Sequence, residues 1–278
     1  MKFGYNFMRF PGFRDRALTL SYDDGTVHDK RLAEIMKKYG VRGTFNINSG
    51  RMGKDRRLTQ EEMVELYNDD HFEVAVHGYK HYPLTSINIG SAVWDIAYDR
   101  ANPENIFGKI IRGMAYANGD YNDEVVDMLQ KCGIVYARTV TSTENFDIPT
   151  DWLRLPATCH HRNPRLMELA EEFLKPTDPN RAWYVWPKLF YLWGHSYEFA
   201  DNDNWEIIEE FCRKVGNNDE VWYATNIEIY EYVKAFDNLV FSHDNSMVYN
   251  PSAQDVYLRF YRQNILVKAG QTLTLPIE

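Results

Sequence analysis

The sequence predicts an α/β fold built on a parallel sheet, most simply a closed or distorted barrel, with a small β appendage at its C-terminal end. Three observations predict it. Apolar strand-like runs alternate with amphipathic helical segments along most of the chain. Chemically active side chains stand at the C-terminal ends of several runs, where parallel α/β barrels collect their chemistry. Residues 239–278 abandon this alternation for strand-like patterning alone.

Taken in order, Ala17–Tyr22 reads as a strand and Asp29–Tyr39 as a helix, with Leu32, Ile35, Met36 and Tyr39 at helical spacing and Gly40 as its stop. Val41–Asn48 is a second strand. Thr59-Gln60-Glu61-Glu62 is a capping box opening a helix buried through Met63, Leu66 and Tyr67. Phe72–His77 is a third strand, Ser91–Tyr98 a weaker helix and Lys109–Arg112 a short strand. Asn122 caps a helix running through Val125, Met128 and Leu129 to Gly133, and Ile134–Arg138 returns as a strand. Thr139–Arg162 is irregular and reads as an active-site loop. Then follow a helix over Pro164–Leu174, a strand over Lys188–Trp193, a helix over Trp205–Val215, a strand over Val221–Ala224 and a helix over Ile227–Phe236. In the tail, Leu239–Phe241, Val256–Tyr261 and Ile265–Leu275 alternate like strands, with Ala269-Gly270 as a turn. The expected division is a barrel over 1–238 and a β extension over 239–278 packed on it.

The chain has 278 residues, enough for one large α/β domain with a full core. Its net charge of −9 and lack of a basic stripe argue against nucleic acid as a partner. No apolar run reaches the ~18 residues of a membrane span, so no membrane partner is expected. The N-terminus has no continuous apolar segment and no small-residue cleavage site, which reads as cytoplasmic. Three cysteines, an odd number without a CxxC pair, indicate neither a disulfide framework nor a thiolate metal site. An aromatic fraction of 15% suits stacking on sugar rings as well as an aromatic core.

The chemistry lies in Ser21-Tyr22-Asp23-Asp24-Gly25 and His77-Gly78-Tyr79-Lys80-His81. One carboxylate and two imidazoles make a facial ligand set for a divalent metal, and the second carboxylate is left over as a base. Tyr191-Leu192-Trp193-Gly194-His195 is a further strand with a histidine at its end. With an ordinary pKa of about 6.5, such a histidine suits a general acid.

These motifs resemble those of the polysaccharide deacetylase family, also called the NodB-homology or carbohydrate esterase 4 family. The family's Thr-Phe-Asp-Asp-Gly is similar to residues 21–25. Its His-Ser/Thr-x-x-His is similar to residues 77–81, with Gly78 in place of the hydroxyl residue. Its late strand ending in a catalytic histidine is similar to Leu192-Trp193-Gly194-His195. The resemblance spans residues 17–200 in the right order. It implies a distorted (β/α)7 barrel, Asp23 as general base, Asp24, His77 and His81 as metal ligands, and His195 as the acid that protonates the leaving amine. The metal it implies is zinc, with Co2+, Ni2+, Fe2+ and Mn2+ as other divalent ions. The implied reaction is removal of an acyl group, N-acetyl first, from an acetylated sugar or small carbohydrate, by a water activated on that metal. This is hydrolysis of a carbon–nitrogen bond other than a peptide bond.

The sequence departs from the family at two motifs. Where the family has Arg-Pro-Pro-Tyr-Gly, this chain has Ala115-Tyr116-Ala117-Asn118-Gly119, so the arginine that orients the base falls on Ala115. Arg112 is the expected substitute, and the backbone amide near Tyr116 the expected oxyanion donor. For the fourth motif, Asp151-Trp152 with Arg154 has the right residue types, making Trp152 and Arg154 candidate substrate contacts. Two other readings stand beside the deacetylase. One is an amidohydrolase acting on a small non-sugar amide. The other is a catalytically silent carbohydrate-binding or regulatory relative, favoured by the missing arginine.

Overall fold

The computed structural model describes residues 4–176 and 185–276. In chain order the elements are β1 (Met8–Arg9), β2 (Arg16–Asp23), α1 (Asp29–Lys38), β3 (Gly43–Ile47), α2 (Gln60–Tyr67), β4 (Phe72–Val76), α3 (Ile89–Phe107) and β5 (Gly113–Ala115). Then come α4 (Asp123–Lys131), β6 (Tyr136–Ser142), β7 (Leu155–Ala157), β8 (Cys159–His160), α5 (Leu166–Leu174), β9 (Lys188–Gly194), α6 (Ser196–Asp201), α7 (Glu206–Val215), β10 (Val221–Tyr223) and α8 (Asn226–Asp237). The tail holds β11 (Val240–Phe241), β12 (Met247–Tyr249), β13 (Val256–Phe260), β14 (Gln263–Val267) and β15 (Thr272–Thr274).

Strands β2 to β10 form one nine-stranded sheet with parallel pairings throughout. It closes on itself because a single interrupted run does two jobs. Leu155–Ala157 pairs with β6, and just past Thr158 the run turns its other edge to β9. Strand β10 lies beside the first half of β2, on the edge that β3 takes over from Leu20 onward. The result is a distorted seven-stave barrel with helices outside, as the sequence predicts. Strand β2 at its centre is buried at every position, as a strand with neighbours on both edges and helices outside must be.

Several expectations shift. The weak helix becomes the 19-residue α3, which runs through Pro103. The Lys109–Arg112 strand moves on to Gly113–Ala115, because Ile110 is 79% exposed and the chain is still crossing the surface there. The expected loop over 139–162 contains the rest of β6 and all of β7 and β8, so part of it is barrel wall. Within Ile265–Leu275 the chain turns at Ala269-Gly270, as expected, between β14 and β15.

The tail forms two small antiparallel sheets. One of them recruits β1 from the N-terminus through the pairing Met8↔Leu258. Val248, Leu258, Phe260 and Val267 share one apolar cluster with Tyr136, Trp152, Tyr191 and the inner face of α8. No helix among the described residues is long and apolar enough to cross a membrane.

Candidate active site

Asp23 is the last residue of β2, and the chain leaves the strand at once, with Asp24 at φ 83° and Gly25 at φ 63°. Neighbouring residues of an extended strand point to opposite faces. The left-handed turn at Asp24 lifts that rule, and both carboxylates reach the same mouth of the barrel. Histidine 77 follows the end of β4. Gly78 holds φ 84°, and a Cβ there would lie 3.0 Å from Asp95 Oδ2, which accounts for glycine in place of a hydroxyl residue. Helix α3 anchors this loop from beneath. Asp99 accepts the backbone N–H of Ser49 (2.7 Å) and of His77 (3.0 Å), and Asp95 accepts that of Lys80 (3.0 Å).

Asp24, His77 and His81 offer ligand atoms that all lie within 4.8 Å of one another. Two details make them fit a divalent cation. His77 Nδ1 lies 2.8 Å from the carbonyl of Ala115, so its proton sits there and the Nε2 lone pair faces the mouth. Asp24 Oδ1 is buried without a hydrogen bond, 3.7 Å from His81 Nε2 and 3.2 Å from Arg57 Nη2. Burial, then the neighbouring His77, push the His81 pKa down to about 4, keeping that ring neutral and free to ligate.

Asp23 lies between this set and His195. One oxygen accepts from Asn46 Nδ2 (2.8 Å) and the other from Arg138 Nη2. His77 Nε2 and His195 Nε2 stand 3.8 and 3.9 Å from that second oxygen. Burial pushes the Asp23 pKa up, but Arg138, His77 and His195 outweigh it and hold it at about 2. Arg138 is completely buried, with its guanidinium carbon 4.2 Å from the centre of the Trp193 ring.

The arginine is therefore neither at position 115 nor at 112. Arg138 pairs in register with Ala115 on the adjacent strand, so the guanidinium enters at the same level of the barrel from the next stave. Arg112, the expected substitute, sits before β5 at the opposite mouth. It pairs there with Glu231 and lines a cavity of about 560 Å³ with Arg42 and Glu73.

Three further expectations are corrected. The Tyr116 N–H already donates to the Arg138 carbonyl at 3.0 Å in the sheet ladder, so it is not a free oxyanion donor. Trp152 is packed into the core, edge-on to Tyr230. Arg154 pairs with Asp151 and Asp123 at the surface. Neither of the last two faces the site, because their segment serves as barrel wall next to β7.

His195 directs Nδ1 at Glu198 Oε1, 3.0 Å away, leaving Nε2 toward Asp23. Burial pushes its pKa down, but the bond to Glu198 and the charges of Asp23 and Asp24 outweigh burial and hold it above the ordinary value. Glu198 also meets His161 Nε2 at 2.9 Å, obliquely, and His160 Nε2 at 3.6 Å. Burial raises the Glu198 pKa, and these histidines more than reverse that, holding it well below the usual carboxylate range. His160 Nδ1 accepts the N–H of Arg162 (3.1 Å), which puts the His160 proton on the nitrogen facing Glu198. This cluster therefore reads as a proton-bearing support for His195, not a second ligand set. His161 is wedged against Gly194, where a Cβ would lie 2.0 Å from its Nδ1.

Sequence reasoning missed Arg138, Asn46 and Glu198 as site residues. The available signals were Arg138 closing an apolar strand, Asn46 within a buried strand, and Glu198 one helical turn after His195.

Comparison with known proteins fits this geometry. Residues 12–137 match the family profile described as polysaccharide deacetylase. YxkH of Bacillus subtilis (strain 168), assigned by its name to the polysaccharide deacetylases, is 23% identical over 120 residues, a match spanning 43% of this chain and 43% of that relative. A Mycobacterium smegmatis structure, likewise named for polysaccharide deacetylation, superposes with a TM-score of 0.58 at 16% identity, covering 84% of this chain and 95% of that one. A family 4 carbohydrate esterase from Streptomyces lividans, solved with acetate, superposes with a TM-score of 0.51 at 12% identity, covering 76% and 93%. The fold is thus shared along most of the chain, and the part that carries Asp23, Asp24, His77 and His81 is the part that matches the polysaccharide deacetylase profile.

Proposed function

We propose that this protein is a divalent-metal-dependent hydrolase that removes an acyl group, N-acetyl first, from a carbohydrate. One observation carries the reading: a buried carboxylate, Asp23, fixed by Asn46 and Arg138 between a three-donor set and His195. Asp24, His77 and His81 would hold the ion, most simply zinc given the two imidazoles, and when bound it would polarise the acyl oxygen and acidify a water. Asp23, held ionised at about 2, is a weak base suited to taking a proton from such an acidified water. Arg138 keeps it charged and prevents its rotation away from the mouth. With Nδ1–H held by Glu198 and its pKa raised, His195 in its imidazolium form carries a second proton on Nε2, delivers that proton to the departing nitrogen and is left neutral. Arg138, in register with Ala115 on the next strand, supports the catalytic reading over that of a silent binder.

The test is metal analysis together with acetate release from a panel of N-acetylated sugars. Asp23→Asn is expected to keep the metal and lose turnover, and His77→Ala to lose both. Full turnover by Asp23→Asn would show that the base is elsewhere.

A further inference from the structure

Helix α3 buries two acidic residues beside the apolar Ala92, Ile96 and Phe107, and turns an uncharged face to solvent. Its acidic residues Asp95 and Asp99 are buried and hold the His77–His81 loop. Its solvent face, from Ile89 through Val93, Trp94, Ala97 and Tyr98 to Ala101, carries no charge. A surface helix ordinarily turns its charges to water.

Trp94 and Tyr98, one turn apart, are each 47% exposed, with ring centres 4.8 Å apart and planes within 15°. Tyr79, from between the two ligand histidines, stands edge-on to both at 5.4 and 5.3 Å. The Lys80 ammonium lies 5.7 Å from the Trp94 ring centre and 5.9 Å from that of the exposed Tyr82. The aromatic face is thus continuous with the loop that carries His77 and His81.

From this arrangement we infer that Trp94 and Tyr98 form a platform that holds an acetylated glycan chain running across α3 into the site. The inference rests on the carbohydrate reading of that site and deepens it, from a sugar to a polymer. Trp94 and Tyr98 each cover one face of the other, so a pyranose ring would set its flat C–H face on an outer face of the stacked pair, with its rim hydroxyls toward the Trp94 indole N–H, the Tyr98 hydroxyl and Lys80. A second copy of the chain would need a face large enough to bury over about 1,000 Å² in total, with charged side chains at its rim. Here the apolar strip is one helix wide and leads to the ligand loop.

The test is affinity electrophoresis in gels containing glycol chitin or acetylated xylan, run beside turnover assays on the same polymers and on their monosaccharides. Wild-type protein should be retarded by at least one polymer. Trp94→Ala/Tyr98→Ala should bind it about tenfold more weakly, the scale of losing one to two stacking contacts. The double variant should raise KM on polymer and leave monosaccharide turnover unchanged, and Trp94→Phe should restore binding. Equal retardation of wild type and double variant would overturn the platform and leave the deacetylase reading standing. Retardation of wild type without acetate release would refute that reading and keep the platform. Absence of retardation on both polymers, or a dimer that dissociates in the double variant, would also overturn the platform.

Discussion

Arg138→Met is the perturbation that most directly probes how Asp23 is held. Methionine keeps the length of the side chain and its packing on Trp193, and removes the charge and the donations to Asp23 and to the Thr139 carbonyl. In the intact protein the Asp23 pKa falls from 3.8 to about 2 although burial pushes it the other way. A difference of nearly two pH units corresponds to roughly 2.5 kcal/mol. Removing one partner of a buried pair costs about 3–5 kcal/mol, because the other is left buried and charged. A loss of about 3 kcal/mol at pH 7 is therefore expected. The sign with pH follows from the depressed pKa. The stabilisation is present above the ordinary carboxylate range and disappears as pH falls through about 2. In the variant, burial is left to raise the Asp23 pKa, so the carboxyl takes up its proton earlier and the gap to wild type narrows as the medium is acidified. Urea denaturation across pH 3–7 reads this out, and the acid limb of kcat/KM should move to higher pH in the variant. A loss below about 1 kcal/mol, or one that does not change with pH, would refute the buried-pair account.

Other predictions test the neighbouring groups. Glu198→Gln removes the charge that holds the His195 pKa up, so the alkaline limb of activity should move to lower pH and kcat should fall more than KM rises. A pH–rate profile with an unmoved alkaline limb would exclude Glu198 as the residue that positions His195. If Asp24, His77 and His81 bind the ion, a chelator should lower the thermal midpoint of wild type and leave that of His77→Ala unmoved, because only a bound ligand stabilises the fold. Asp29, buried against Tyr67 and Ser196, has its pKa raised by burial to about 7, so its ionisation should cost stability as pH climbs from 4 to 7. Asp29→Asn should flatten that part of the stability profile and be most beneficial, relative to wild type, at pH 8.

Much of the site was legible because its signals are local. Strand β2 ends at Asp23, and His77 and His195 directly follow the last residues of β4 and β9; a strand followed by an amphipathic helix places such residues at one mouth of a barrel. The partners of these residues were not legible. Arg112 looked like the substitute arginine by its nearness in sequence to Ala115, but it stands at the start of its strand and Ala115 at the end, and those are opposite mouths of the barrel. Trp152 and Arg154 looked like a motif in a loop, and they belong to a wall segment whose tryptophan is claimed by the core.

The sequence by itself determined the alternating strand–helix order, the barrel class, and the residues that close β2, β4 and β9, because periodicity and strand termination depend only on neighbours along the chain. Tertiary structure alone decided which groups face those residues. The register that sets Arg138 level with Ala115, the pairing of one interrupted run with both β6 and β9, and the meeting of Glu198 with His160 and His161 join residues far apart in sequence. A one-residue change of register turns a side chain to the other face of a sheet, so the residue that holds Asp23 is fixed only when the barrel closes.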